Sequence, residues 1–498
     1  MFYKDILPIN EHTVLKVKLS NFQNGVDVKT EQNILPLNIA RKTFNYNFNS
    51  GALTSGLGFC DLTFPINNGI KTMSIPEDVT GIKNFWVFKY FDENLKIYEP
   101  VLVFYTSENK FFWAAIKTTD DNFYEMYDFV FEAEPVAITM DIGGENKIVF
   151  CSNSSNDKLT TWDGTNLPES FPNTPQINTL ALHANRLFAT VGDMKNELWF
   201  SDETNPCNWN VSEFDGGYIK INDERGTLNN VISYKNYLYI IREFGISRVS
   251  GYGEQTDFTV KHMALSNSRI YEKSAVLCGD VIIMLCKDGL YSFDGLNLSK
   301  INVGFSDMLT KSDNTNAVGG FLDGKYYLAC RLNFEDDLVM GCEAFDGYVN
   351  NSLIEMDINT GEYLILRGVD ICAFRPVHDE NISKLVACFK TQYKNKLGEL
   401  THDGVVFNNP TKKVWTSPKT DLGYPDKTKV LRNLFLNSKE DIVIEFDADG
   451  VKHSVAVKGS DKPIKVPLSF KAEIFSVTFI SETENCNISN PQLEINLI

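Results

Sequence analysis

The chain of 498 residues has no uninterrupted apolar run of the roughly 18 residues that a membrane-spanning helix needs. Its N-terminus, MFYKDILPINEHTVLKVKLSNF, lacks the basic-then-apolar order of a signal peptide. Both absences point to a chain made and folded in a cytoplasm. Ten cysteines occur without a CxxC pair, and Cys151, Cys278, Cys286, Cys330 and Cys388 sit inside apolar blocks, so buried free thiols are expected in place of disulfides or a zinc site. The six histidines, His12, His183, His262, His378, His402 and His453, form no HxH, HxxxH or HExxH pattern, which leaves metal catalysis without support. There is no P-loop, no GxGxxG opening a helix and no GxSxG elbow, so nucleotide chemistry and serine hydrolysis are set aside. No Lys/Arg cluster stands out, and Lys+Arg 47 against Asp+Glu 65 leaves a net charge of −18. Such a surface repels phosphate and argues against tight binding along a nucleic-acid backbone. A conduit through which DNA must slide without sticking is nevertheless better lined with carboxylates than with lysines.

What the chain does have is aromatic residues, 35 Phe and 20 Tyr, delivered in short apolar blocks separated by Asn, Gly and Asp. That texture favours strands over helices. A unit recurs about six times, at intervals of roughly 40 to 60 residues: a small or polar residue, an apolar block, a polar gap, and a second strand ending mostly on Asp-Gly, Ser-Asp or Ser-Gly. The copies begin near Asn146, Asn185, Asn236, Asp280, Gly324 and Ser383, with a degenerate one near Asn109. Each is long enough for one small four-stranded sheet whose two apolar faces need neighbours, and a ring of such sheets needs no end caps. The expected fold is all-β: a β-propeller of about six or seven blades over 83–405, an extended, loop-rich docking segment over 1–82, and a C-terminal β-sandwich-like domain over 406–498. The last is marked by alternation around the Asp449-Gly450 turn.

Catalytic chemistry finds little foothold. Paired carboxylates could serve glycoside hydrolysis, but Asp163, Asp288, Asp294, Asp323, Asp346, Asp403 and Asp449 each precede Gly and read as turn residues. SNDKLTTW over 155–162 resembles the Asp box of sialidase propellers, with Ser155, Asp157, Thr161 and Trp162 in place but Leu159 where that motif has Gly, and in that family the box is a structural turn. FDADG over 446–450 lacks the distal Glu of a calcium loop and reads as a β-turn. Trp199, Phe200 and Trp209 could stack on a sugar but are expected in the core. No catalytic, cofactor-binding or metal-ligating residue is therefore expected, and no cofactor.

Three segments together resemble one family: NFQNGVDVKTEQNILP with NFNSGALTSGLGF near the start; NRLFAT, ELWFSDETNPCNW, GYIKIN and NYLYIIREFGISRVSGYG in the centre; and TSPKTDLGYPDKTKVLRNLFL near the end. They are similar to the tail and neck propeller proteins of tailed bacteriophages, the nozzle or packaged-DNA stabilisation proteins of short-tailed phages. The resemblance implies a non-enzymatic virion protein assembled in the host cytoplasm. Its partners would be copies of itself in a cyclic ring, commonly a hexamer, the portal and adaptor above, other tail proteins, and genomic DNA passing through the lumen without sequence-specific contacts. The alternative is a carbohydrate-binding or glycoside-cleaving propeller, which requires acids and aromatics, with Arg242, Arg248, Arg269 or Arg331, to converge at the central depression.

Overall fold

The computed structural model describes residues 13–19, 22–32, 35–66, 69–73, 75, 79, 81–92, 96–120, 122–212, 216–251, 255–334, 347–379, 382–390 and 395–498. His12 and Asp346 lie outside these residues.

Seven antiparallel sheets follow one another along the chain. Blade 1 consists of Ile82–Asp92, Ile97–Thr106, Lys110–Ala115 and Tyr124–Val130. Blades 2 to 6 repeat the four-strand order and open with Val136–Ile142, Ile177–His183, Leu228–Tyr234, Val276–Cys278 and Val318–Leu322. Blade 7 opens with Ile371–Asp379. The first strand of each blade lies against that of the next, save that blade 1 meets blade 2 through Glu145–Cys151, and Ile371–Asp379 returns against Ile82–Asp92 to close the ring. The fold is an all-β propeller.

The turns explain why the chain divides in this way. Between the first and second strands stand Gly144, Asn185, Lys235, Gly279 and Gly324 with φ of 89°, 61°, 55°, 61° and 78°. A tight hairpin needs positive φ, which Gly and Asn adopt at little cost. The recurring sequence unit begins at these turns, so it is out of phase with the blade by one strand. Two turn aspartates support their own turns: Asp163 accepts from the N–H groups of Thr165 and Asn166, and Asp294 from those of Leu296 and Asn297, whereas Asp449 accepts from the N–H groups of Glu473 and Ile474 and Asp288 from Ser268, Tyr291 and Lys300. Asp157 of the degenerate Asp box accepts from the N–H groups of Glu132 and Ala133, tying blade 2 to the preceding connection.

Packing between blades supplies the stability. Separate apolar clusters fill the joints, such as Phe88, Phe111, Phe150 and Trp162 between blades 1 and 2, and Phe188, Phe200, Leu238 and Ile240 between blades 3 and 4. Cys151, Cys278, Cys286, Cys330 and Cys388 are buried and free. Phe200 and Trp209 belong to the core, whereas Trp199 is half-buried and stacks on Tyr218 at 5.3 Å.

The N-terminal segment is built differently from the extended arm expected over 1–82. Thr13–Lys18, Tyr46–Asn47 and Leu53–Ser55 join one sheet of the C-terminal sandwich, and Lys42–Phe44 joins the other. Gly58–Asp61 pairs antiparallel with Asn395–Thr401 and supplies the fourth strand of blade 7. These strands are two to six residues long and, apart from the hairpin of Tyr46–Asn47 with Leu53–Ser55, pair with strands more than 300 residues away.

Candidate functional site at the joint of propeller and sandwich

The N-terminal segment threads between the sandwich and blade 6. The short turn Phe22–Asn24 sets the Phe22 ring, fully buried, edge-on against Trp415 at 4.8 Å, with Phe479 at 6.3 Å. On its other side the segment meets Tyr363 of blade 6, whose hydroxyl accepts from Val26 N at 2.8 Å and donates to Val26 O at 3.2 Å. Gly25 has φ of 69°, and a Cβ there would stand 2.7 Å from the Tyr363 hydroxyl, so both its backbone and its bareness suit this approach. Further along, Asn45 at φ 64° donates from Nδ2 to Lys412 O at 2.7 Å and accepts at Oδ1 from Arg367 N at 2.7 Å, joining blade 6 to the entry of the sandwich. The Arg367 guanidinium lies 4.0 Å over the Phe334 ring. One apolar cluster runs without a break from Phe22 and Trp415 to Tyr363, Leu353 and Leu328 of blade 6. Propeller and sandwich therefore share a core.

A cavity of about 250 Å³ opens beside this joint. Its walls are the N-terminal segment at Val28 and Arg41, the helix Ser306–Thr310 with Lys311, and the sandwich face carrying Thr416, Lys419, Asp447 and Lys452.

The central channel is walled by the first strands of the blades, and none of Arg242, Arg248, Arg269 and Arg331 lies on one of them. Arg242 is fully buried in blade 4 and donates from Nη1 to Asp223 at 2.7 Å and from Nη2 to Gly226 O at 2.6 Å. Arg248 covers the Tyr237 ring at 4.0 Å, and Arg331 donates to Tyr348 O at 2.9 Å. The arginine that does stand on an inner strand is Arg375. It donates to Asn84 Oδ1 at 3.0 Å, and Asn84 donates in turn to Glu134 at 3.1 Å. Burial pulls the Arg375 guanidinium down while Glu134 opposes this.

Two charged clusters were not legible in the sequence. Ser247, His262 and Asp223 form a string, with His262 Nδ1 3.2 Å from Ser247 Oγ and Nε2 3.1 Å from Asp223 Oδ2. Its order is that of a hydrolytic triad, but Ser247 is fully buried and Asp223 is committed to Arg242, so no exposed nucleophile results. Burial pushes the Asp223 carboxyl up, and hydrogen bonds from Arg242 and the Arg225 N–H outweigh this and hold it below its ordinary value. The second cluster is Glu355, buried in blade 6, which receives Lys325 Nζ at 2.7 Å and His402 Nε2 at 2.9 Å from blade 7. Elsewhere His183 and His378 pair with Ser233 and Ser383, and His453 stacks on Phe470. Among the described residues no group of three or more His, Cys, Asp or Glu is placed to hold a metal ion. No helix among them is long and apolar enough to cross a membrane.

Fold and joint together define a closed β-propeller with a β-sandwich knitted to it. No known protein family and no curated protein matches the chain. Among solved structures, two crystal structures of BBS1N in complex with ARL6DN, soaked with mercury and with lead, align with 69% of this chain and with 97% and 95% of theirs. They do so at 9% and 8% identity and a TM-score of 0.43.

Proposed function

We propose that this chain is a structural protein of a bacteriophage tail, a ring-forming nozzle or DNA-conduit subunit below the portal and adaptor that retains and then channels genomic DNA. One observation carries the reading: the terminal segments that resemble the phage proteins are the ones that lock this chain together. NFQNGV contributes Phe22 and Gly25, NFNSGALTSGLGF contributes Leu53–Ser55 and the strand that completes blade 7, and Trp415, beside TSPKTDLG, receives Phe22. A conduit subunit carries load from ring to ring, and such a load favours two modules with one core over two modules on a hinge. The acidic balance of −18 suits a path along which DNA slides.

The test is the mass of the purified protein, by light scattering or mass photometry, alone and with the portal and adaptor proteins encoded beside it. The expected outcome is a discrete cyclic oligomer, hexameric by the resemblance, formed alone or on the adaptor. A monomer that ignores the adaptor and binds glycans would overturn the reading. The carbohydrate alternative called for acids and aromatics to converge at the central depression, with arginines as possible additions; Arg242, Arg248, Arg269 and Arg331 lie outside the inner strands and lend it no support.

A further inference from the structure

The cavity at the joint has a charge balance opposite to that of the chain. Five cationic side chains line it against three carboxylates, whereas the whole protein carries −18. One carboxylate and one ammonium of this set are paired with each other: Asp447 receives Lys419 Nζ at 3.0 Å on one oxygen and Gly450 N at 2.8 Å on the other, and the positive excess is unchanged by the pair. Lys452 stands directly across the hairpin from Asp447 and is exposed. From the opposite wall comes Arg41, whose Nη1 donates to the carbonyl oxygens of Asp27 and Thr30 at 3.3 and 3.2 Å. Those bonds fix the guanidinium at the cleft; the carbonyl groups are neutral, and the Asp27 carboxylate nearby offsets part of its charge. On the sandwich side Thr416 and Thr478 present hydroxyls 3.0 Å apart. Val28 and Met308 give the cleft an apolar side.

A planar guanidinium, two ammonium groups and a hydroxyl pair are mainly donors, and they suit a group with several charged acceptor oxygens. About 250 Å³ is slightly under the roughly 300–1,000 Å³ typical of sites for drug-sized ligands, so the occupant is small and not a polymer. We infer that this cleft binds a small phosphorylated molecule of pyrophosphate to mononucleotide size. Because its walls belong to the N-terminal segment, the propeller and the sandwich, the bound ligand clamps the three together. Ligand binding here is separate from ring assembly, which can occur with the cleft filled or empty.

The full-length protein is titrated with tripolyphosphate and, separately, with AMP at constant ionic strength, following melting temperature and binding heat. The expected result for at least one of them is saturable binding with a rise of about 2–3 °C at a hundredfold excess over Kd. The double variant Lys419→Ala/Lys452→Ala changes exposed side chains; it should keep the ligand-free melting temperature within about 1 °C and weaken binding at least tenfold. Lys452→Glu alone should also weaken binding, which guards against a folding defect in the double variant. No response to either probe beyond that of sodium chloride at equal ionic strength, or equal binding by the variants, would overturn the inference. Tripolyphosphate binding without AMP binding would restrict the ligand to inorganic or terminal oligophosphates.

Discussion

Replacing Phe22 with Ala removes a fully buried ring that touches Trp415 and Phe479 and belongs to the cluster running into blade 6. Core Phe→Ala substitutions cost about 3–5 kcal/mol, including lost transfer energy and the cavity left behind. The edge-to-face contact accounts for about 0.5–1.5 kcal/mol of this. If propeller and sandwich melt as one unit of 498 residues, the unfolding entropy is about 1 kcal/mol per kelvin, so the melting temperature falls by about 3–5 °C. Differential scanning calorimetry reads both quantities, because a shared core predicts one endotherm that shifts as a whole. Leu167→Ala is the control: Leu167 is 84% exposed, and its loss should move the transition by less than about 0.5 °C. A shift for Phe22→Ala no larger than the control's, or a split in which the propeller's endotherm stays in place, would refute the shared-core reasoning.

Other expectations follow from single contacts. Asp223→Ala strands the buried Arg242 guanidinium and should cost about 3–5 kcal/mol, read from the urea midpoint; Asp223→Ala/Arg242→Met should recover much of the loss. Burial pushes the Glu355 carboxyl up, but the hydrogen bonds and charges of His402 and Lys325 outweigh it and hold the group below its ordinary 4.5. Its folded value being depressed, the pair contributes stability that is present above 4.5 and lost as pH falls through the folded value, so Glu355→Gln should flatten the fall in melting temperature below about pH 5. In Gly58→Val the added side chain meets the Val405 carbonyl and the Asp403 carboxylate, displacing the strand that completes blade 7. Faster hydrogen exchange confined to 58–61 and 395–401 is expected, and unchanged exchange there would count against a closing role.

Much of the propeller was legible because its pairings are local. A hairpin advertises itself through Gly or Asn at a positive-φ turn flanked by apolar blocks, and Asn185 and Gly324 sit at such turns. The degenerate unit near Asn109, itself at φ 65°, is the turn between the second and third strands of blade 1. The closing strand was hidden for the opposite reason: GFCD is four residues without alternation, and its partner lies more than 330 residues downstream. The joint was hidden in the same way. Nothing around Gly25 announces Tyr363, which is reached only once the N-terminal segment lies on blade 6; Ser247 and His262 face each other across adjacent strands of blade 4, and nothing around Asp223 announces that the preceding loop brings it to them. Arg242 and Arg331 were credible candidates by residue type, yet their partners are a half-buried carboxylate and a backbone carbonyl.

The same distribution of local and distant pairings orders the folding of the chain. Blades 1 to 6 each form from residues that are near one another in sequence, at small loop-closure cost. Completion of blade 7 waits for Gly58–Asp61 to meet Asn395–Thr401, and the sandwich waits for Thr13–Lys18 to pair with Asn487–Leu497, the two ends of the described chain. Each of these late events depends on the N-terminal segment, so one stretch of backbone decides both when blade 7 gains its fourth strand and when the sandwich completes its sheets. Gly25 and Gly58 lie in that stretch, at places where a larger residue would collide with Tyr363 or with the Asp403–Val405 turn. Residues 13–61 thus act as a clasp whose sequence is set by two distant partners at once, which is why they look poor in pattern and yet are buried at Phe22, Ala40, Tyr46 and Phe59.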